Sequence, residues 1–333
     1  MSRQLEENAS STLKDAYEHP LVSVSDLVVR FPVKTRTGRQ FVVPVNKVNF
    51  HINKGEVLAL VGESGSGKTT IGRALVRTLE PNSGRIEVDG SDISHIRGRE
   101  LEAYRSVAQM IFQDPFGSLN PVKTVARHLQ FPVHKLNGKN GQELADEVDD
   151  LLLRVGLTPV PEMREKFPHE LSGGQRQRLA IARALAVQPK LVIADEPISM
   201  LDVSIRAGIL KLLNQLRDDL GLSYLYITHD LASARYFGDR IMVLYGGQVM
   251  ETADSAQLIR NPQHPYTRLL LAATPGSSVG GALPEKSNEP PNLLETRRGC
   301  PFAPRCPLAS DVCSTMPELS QTEDRHKVAC HHI

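Results

Sequence analysis

Gly62-Glu63-Ser64-Gly65-Ser66-Gly67-Lys68-Thr69 sets glycines, an amine and a hydroxyl at the spacing G-x-x-x-x-G-K-[ST]. Glycines at that spacing let backbone N–H groups turn inward around phosphate oxygens, and a helix starting there adds the positive end of its dipole. Lys68 is placed to reach the β- and γ-phosphates and Thr69 to ligate Mg²⁺. Gly62, Ser64, Gly65, Ser66, Gly67 and Thr70 line the same cradle. Further along, Leu191-Val192-Ile193-Ala194-Asp195-Glu196 is an apolar run ending in two acids. Asp195 is suited to hold Mg²⁺ through water and Glu196 to polarise an attacking water as general base. Taken alone, the pair reads equally well as solvated acids ending a strand. Leu171-Ser172-Gly173-Gly174-Gln175 opens a helical pattern, with Ser172 where an N-cap belongs and two glycines leaving backbone N–H groups bare. That is a second anion site, although no strand feeds it.

Chemistry of this kind needs buried strands that deliver the loops to one edge of a sheet. Val57-Leu58-Ala59-Leu60-Val61 is the strand the glycine loop must follow. Further strands are expected over 21–31, 41–52, 85–88, 107–112, 190–194, 224–228 and 240–245, and helices over 69–79, 175–187, 204–220 and 231–237. Buried strands feeding helices indicate an α/β fold with a parallel core sheet. The strand-rich stretch before residue 90 predicts an antiparallel β subdomain beside it. Leu144–Val155 has leucines at helical spacing, and the segment from about 120 to 188 has no strand pattern, so it is expected to be an inserted helical subdomain. Residues 1–20 read as a flexible leader, 21–275 as the nucleotide-binding domain, 276–298 as a Pro/Gly/Ser-rich linker and 299–333 as a four-cysteine segment.

Composition excludes little beyond the extremes. Apolar residues make up 40% and charged residues 23%, with a net charge of +1, so nothing global argues for nucleic acid or an anionic membrane. No run approaches the roughly 20 apolar residues of a membrane-spanning helix, and residues 1–20 lack the apolar core of a signal peptide. The cytoplasm is the expected compartment. The four cysteines, Cys300, Cys306, Cys313 and Cys330, have the spacing C-x₅-C-x₆-C-x₁₆-C. Four thiolates suit either Zn²⁺ or an iron–sulfur cluster, and the spacing does not choose between those and unligated or disulfide-bonded thiols. His326, His331 and His332 keep zinc in play.

Ser172-Gly173-Gly174-Gln175 together with the glycine loop resembles the ATP-binding subunit of an ABC transporter, a P-loop NTPase. The resemblance implies a dimer in which each ATP lies between one phosphate loop and the partner's signature sequence, Ser172 to Gln175 here. It further implies that Gln113 senses Mg²⁺ and water and couples to membrane subunits, and that Asp202 lies in a loop crossing the dimer. His229 becomes the switch histidine contacting the γ-phosphate and orienting water with Glu196. Met200 departs from the alanine usual in that loop. Phe31 is the better candidate for stacking on adenine, with Phe41 as the competing choice and a core phenylalanine as the plain alternative.

Asn261-Pro262-Gln263-His264-Pro265-Tyr266-Thr267-Arg268 and Gly299-Cys300-Pro301-Phe302-Ala303-Pro304-Arg305-Cys306 narrow the resemblance to oligopeptide and dipeptide importers. That branch implies a 4Fe–4S cluster on the four cysteines, two permease subunits, a paralogous second ATPase subunit, an extracytoplasmic binding protein and a place on the cytoplasmic face of the membrane. Nickel and oligosaccharide importers use similar subunits. The alternative class, soluble ABC ATPases of DNA repair or translation, is disfavoured: no sustained heptads separate Lys68 from Ser172, and each motif occurs once.

Overall fold

The computed structural model describes residues 20–35, 38–273, 293–294 and 298–333. The expected leader and linker therefore lie outside the described residues, apart from Pro20, Leu293, Leu294 and Arg298. The strands in chain order are β1 (Val22–Thr35), β2 (Gly38–Ile52), β3 (Val57–Val61), β4 (Ser83–Val88), β5 (Ser91–Asp92), β6 (Ala108–Ile111), β7 (Leu191–Asp195), β8 (Ser223–Thr228), β9 (Arg240–Tyr245), β10 (Gln248–Asp254), β11 (Ser320–Glu323) and β12 (His326–Val328). The chain forms two compact units, one from residues 1–96 with 225–333 and one from 97–224.

In the first unit every side chain of β3 is buried, as an apolar strand covered on both faces requires. It pairs in parallel with β9 and is flanked on its other side by β8. Beyond β9 the direction reverses: β10 pairs antiparallel with β9, β12 with β10, and β11 with β12. A separate antiparallel sheet has the order β2-β1-β4-β5. The helix that follows β3 spans Lys68–Leu75, shorter than expected, and the chain turns at Arg77 with φ of 56°.

In the second unit β6 pairs in parallel with β7. Among the described residues the segment between them is helical, with helices over Val125–Asn137, Gly141–Arg154 and Gly173–Leu185. The first falls within the expected helical subdomain, although no helix was placed there individually and Pro132 lies inside it. Its buried Val125, Leu129 and Val133 recur at helical spacing, so packing of that stripe overrides the proline.

The strand β10 also escaped the sequence, because Glu251 stands in the middle of it. That carboxylate is fully buried and accepts hydrogen bonds from the Gln263 and His264 N–H groups at 2.8 and 3.0 Å and from His326 Nε2 at 2.7 Å. A buried carboxylate is tolerable only when paired in this way. The four-cysteine segment is built onto the first unit. It contributes β11 and β12 and buries Phe302, Val328 and Ala329.

His264 caps the helix Pro265–Ala272, its Nδ1 accepting from Tyr266 N at 3.0 Å. Burial, reinforced by Arg268, lowers its pKa to about 4. An unfolded chain takes up the proton first as pH falls from 6.5, so this histidine's contribution is complete above 6.5 and is lost as pH drops toward 4. Burial and Arg240 likewise lower His51 to about 4. Thermal melting from pH 7 to 4 should therefore show falling stability. His264→Asn, which keeps a cap acceptor, should flatten the fall by up to about 3 kcal/mol. An unchanged pH slope would show that His264 is not held neutral.

Candidate functional site

The glycine loop follows β3 in the first unit, and its path is fixed by close approach. A Cβ on Gly62 would collide with the Leu244 carbonyl, and one on Gly67, which has φ of 105°, with that of Pro44. Only glycine meets both conditions. Gly67 is the N-cap of helix Lys68–Leu75 without any side-chain cap, the arrangement in which a helix end attracts an anion. Lys68 is 5% exposed, and its Nζ donates to the carbonyls of Gly62 and Glu63 at 2.7 and 2.9 Å and lies 3.4 Å from Ser66 Oγ. The amine is thus seated inside its own loop, beside a helix N-terminus where an arriving phosphate would lie. Thr69 and Thr70 follow, half-buried, while Ser64 and Gly65 are exposed.

His229 is exposed just after β8, where Asp230 caps the next helix by accepting from Ala232 and Ser233 N–H at 2.9 and 3.2 Å. Phe31, in β1, is 40% exposed. Phe41 is instead flanked by the guanidinium groups of Arg30 and Arg39, at 4.8 and 5.8 Å from its ring centre. Of the two, Phe31 presents the more open ring.

In the second unit β7 ends in Asp195, which is 4% exposed, and the chain turns sharply at Glu196, whose φ is 46°. A non-glycine residue in the left-handed region costs on the order of 1 kcal/mol and is commonest where function demands it. Gln113, just beyond β6, donates from Nε2 to Glu196 Oε2 at 3.0 Å, so the structure brings these two predicted residues together. Asp195 and Gln113 carry oxygen donors of the kind Mg²⁺ takes. Ser172 forms a capping box with Gln175: its Oγ accepts from Gln175 N at 3.3 Å, and Gln175 Oε1 accepts from Ser172 N at 3.0 Å. Gly173 and Gly174 form the first turn, and a Cβ on Gly174 would press on Ile205 at 2.9 Å. Asp202 is exposed at the N-cap of helix Val203–Leu220, and Met200 beside it is exposed as well.

None of the four cysteines is in a disulfide; Cys306 and Cys313 are buried and Cys300 and Cys330 half-buried. Burial raises the pKa of Cys300, with smaller effects from Cys313 and Cys306, and burial followed by Cys313 raises that of Cys330. Cys300 also lies against Cys313, donating its N–H to the Cys313 carbonyl at 2.9 Å. Among the described residues, however, no group of three or more His, Cys, Asp or Glu side chains is arranged to hold a metal ion. His326 is engaged by Glu251, His331 Nε2 lies 3.1 Å from the Thr315 carbonyl, and His332 Nε2 lies 3.6 Å from Cys313 Sγ.

The sequence did not single out Tyr266 and Arg305. Both touch Glu63 of the glycine loop. The only signal was that each lies in a segment already carrying a family resemblance.

Residues 45–199 match the ABC transporter family and residues 250–313 the oligopeptide/dipeptide transporter C-terminal region. A probable peptide ABC transporter ATP-binding protein of Sinorhizobium fredii is 43% identical over 93% of this chain and 89% of its own length. An oligopeptide transport ATP-binding protein of Bacillus subtilis is 40% identical over 95% and 98%. Among solved structures, a dimeric ATP-binding cassette in a post-hydrolysis state bound to ADP and phosphate superposes with a TM-score of 0.63. It is 30% identical and covers 70% of this chain and 98% of its own. A subunit of an ABC transporter complex of Clostridium perfringens gives a TM-score of 0.63 at 29% identity, covering 73% and 91%. With its glycine loop, strand-end acids and capped signature helix in place, the chain belongs to the ABC transporter ATP-binding proteins and is an ATPase of that family.

Proposed function

We propose that this ATPase energises the import of oligopeptides or dipeptides. The match of residues 250–313 to the peptide-transporter C-terminal region carries that reading, and the names of the relatives from S. fredii and B. subtilis support it. The chain works at the cytoplasmic face of the membrane beneath two permease subunits, paired with a paralogous ATPase and served by an extracytoplasmic binding protein. Among the described residues no helix is long and apolar enough to cross a membrane, which is in keeping with separate permeases.

In the proposed mechanism, Gly62, Ser64, Gly65, Ser66, Gly67, Thr69 and Thr70 bind the phosphates, Lys68 turns from its carbonyl partners to the β- and γ-phosphates, and Phe31 stacks on adenine. Thr69, Asp195 and Gln113 would hold Mg²⁺, which when bound would supply charge neutralisation at the phosphates. Glu196 takes a proton from water as the water oxygen bonds to the γ-phosphorus. The bond from that phosphorus to the β,γ-bridging oxygen breaks, and ADP leaves with that oxygen. His229 orients the water. Ser172, Gly173, Gly174 and Gln175 close over the partner's nucleotide, and Asp202 lines the crossing between the two subunits. Closure driven by ATP moves the permeases through the Gln113 region, and hydrolysis releases them.

The four cysteines, none of them in a disulfide, match in number and type the Cys₄ donor set of a 4Fe–4S cluster, which would pin the C-terminal segment without taking part in hydrolysis. Their present arrangement is not that of a formed metal site, so loading must draw the thiols together and deprotonate them.

Two measurements test this account. ATPase activity of the reconstituted transporter should rise severalfold when its binding protein is loaded with a di- or oligopeptide. Stimulation by nickel or an oligosaccharide but not by peptide would reassign the cargo. Protein purified without oxygen should contain about four iron and four sulfide per chain. Zinc without iron would overturn the cluster.

A further inference from the structure

The roles proposed above leave Glu63, inside the phosphate loop, without a task. All three of its polar groups are nevertheless held. Its N–H donates to Tyr266 Oη at 2.9 Å, its carbonyl accepts from Lys68 Nζ at 2.9 Å, and its Oε2 accepts from Arg305 Nη1 at 2.8 Å. Tyr266 is fully buried, with its ring against Tyr245 at 4.6 Å and Phe302 at 5.3 Å. Arg305 also donates to Tyr245 Oη at 3.3 Å, and its guanidinium lies 5.8 Å from the Tyr245 ring and 5.9 Å from that of Phe302. Arg305 and Phe302 both come from the cysteine segment, with Arg305 in the turn Ala303–Arg305 between Cys300 and Cys306.

A carboxylate within a loop built to receive a triphosphate is an electrostatic liability. Left unpaired, it repels the incoming anion and is free to swing the backbone carbonyl that holds Lys68. Arg305 removes both problems. It pairs with the Glu63 carboxylate, and its own side chain is held by the aromatic cluster and only 15% exposed. Holding the loop in its binding shape before ATP arrives lowers the ordering cost of binding.

We propose that Arg305 is a positioning residue for nucleotide binding: through Glu63, the C-terminal segment clamps and neutralises the phosphate loop. The inference rests on residues 62–69 being that loop. Since Glu63 is 34% exposed, solvent moderates the effect.

The test measures Mg·ATP affinity of the full-length chain with a fluorescent ATP analogue, alongside KM and kcat of the transporter's ATPase. Arg305→Gln should raise Kd and KM about tenfold with kcat within about twofold of wild type, and Arg305→Lys should recover most of the loss. In a Glu63→Gln background, adding Arg305→Gln should change Kd by less than about twofold, because the partner is already neutral. A full tenfold cost in that background would overturn the proposal, as would a folded Arg305→Gln protein binding like wild type. Should Arg305→Gln melt below assay temperature, the same cycle run with Arg305→Lys decides on the same grounds, at smaller amplitude. Lys68→Ala is the separate control: retained ATP binding there would refute the phosphate loop itself, whatever Arg305 does.

Discussion

The amine of Lys68 is buried among carbonyl oxygens, and much of the first unit is organised around that seat. The carbonyls of Gly62 and Glu63 face it in a loop whose backbone runs close against Leu244 and Pro44, where a Cβ on Gly62 or Gly67 would not fit. Leu244 belongs to β9, which pairs in parallel with β3, the strand that feeds the loop. A buried apolar strand, its parallel neighbour and two close backbone approaches thus produce one result: the Lys68 amine seated within the glycine loop beside a helix N-terminus.

The second unit meets a different demand with comparable means. β7 carries apolar side chains to its end, where Asp195 stays buried and Glu196 is turned into the left-handed region. Gln113 reaches Glu196 from the end of the neighbouring parallel strand, so adjacent strands deliver both groups. Strain at Glu196 is consistent with a carboxylate aimed by the backbone for its proposed work on water.

The chemistry was legible because it is local. The glycine loop, the strand ending in Asp195 and Glu196, and the Ser172 cap each lie within a few consecutive residues, and the pattern of apolar runs placed their strands to within a few positions. What the sequence hid was long-range or masked by a contrary residue. Glu251 made β10 look unlike a strand, since its three partners, Gln263, His264 and His326, come from elsewhere in the chain. Pro132 lies inside a helix whose buried stripe holds it together. Arg305 lies 242 residues from Glu63, and no periodicity connects two such positions. The cysteines were plain as a donor set, but spacing carries no information on how thiols sit in space.

The most direct test is single-site turnover of Glu196→Gln in a transporter whose other ATPase subunit already carries the corresponding substitution, so that only this chain's site hydrolyses. The account predicts Mg·ATP affinity within a few-fold of wild type and a fall in phosphate release of at least about 100-fold. Turnover at the wild-type rate would contradict it, because a water activated without Glu196 leaves the strained turn and the Gln113 contact with no part in the chemistry.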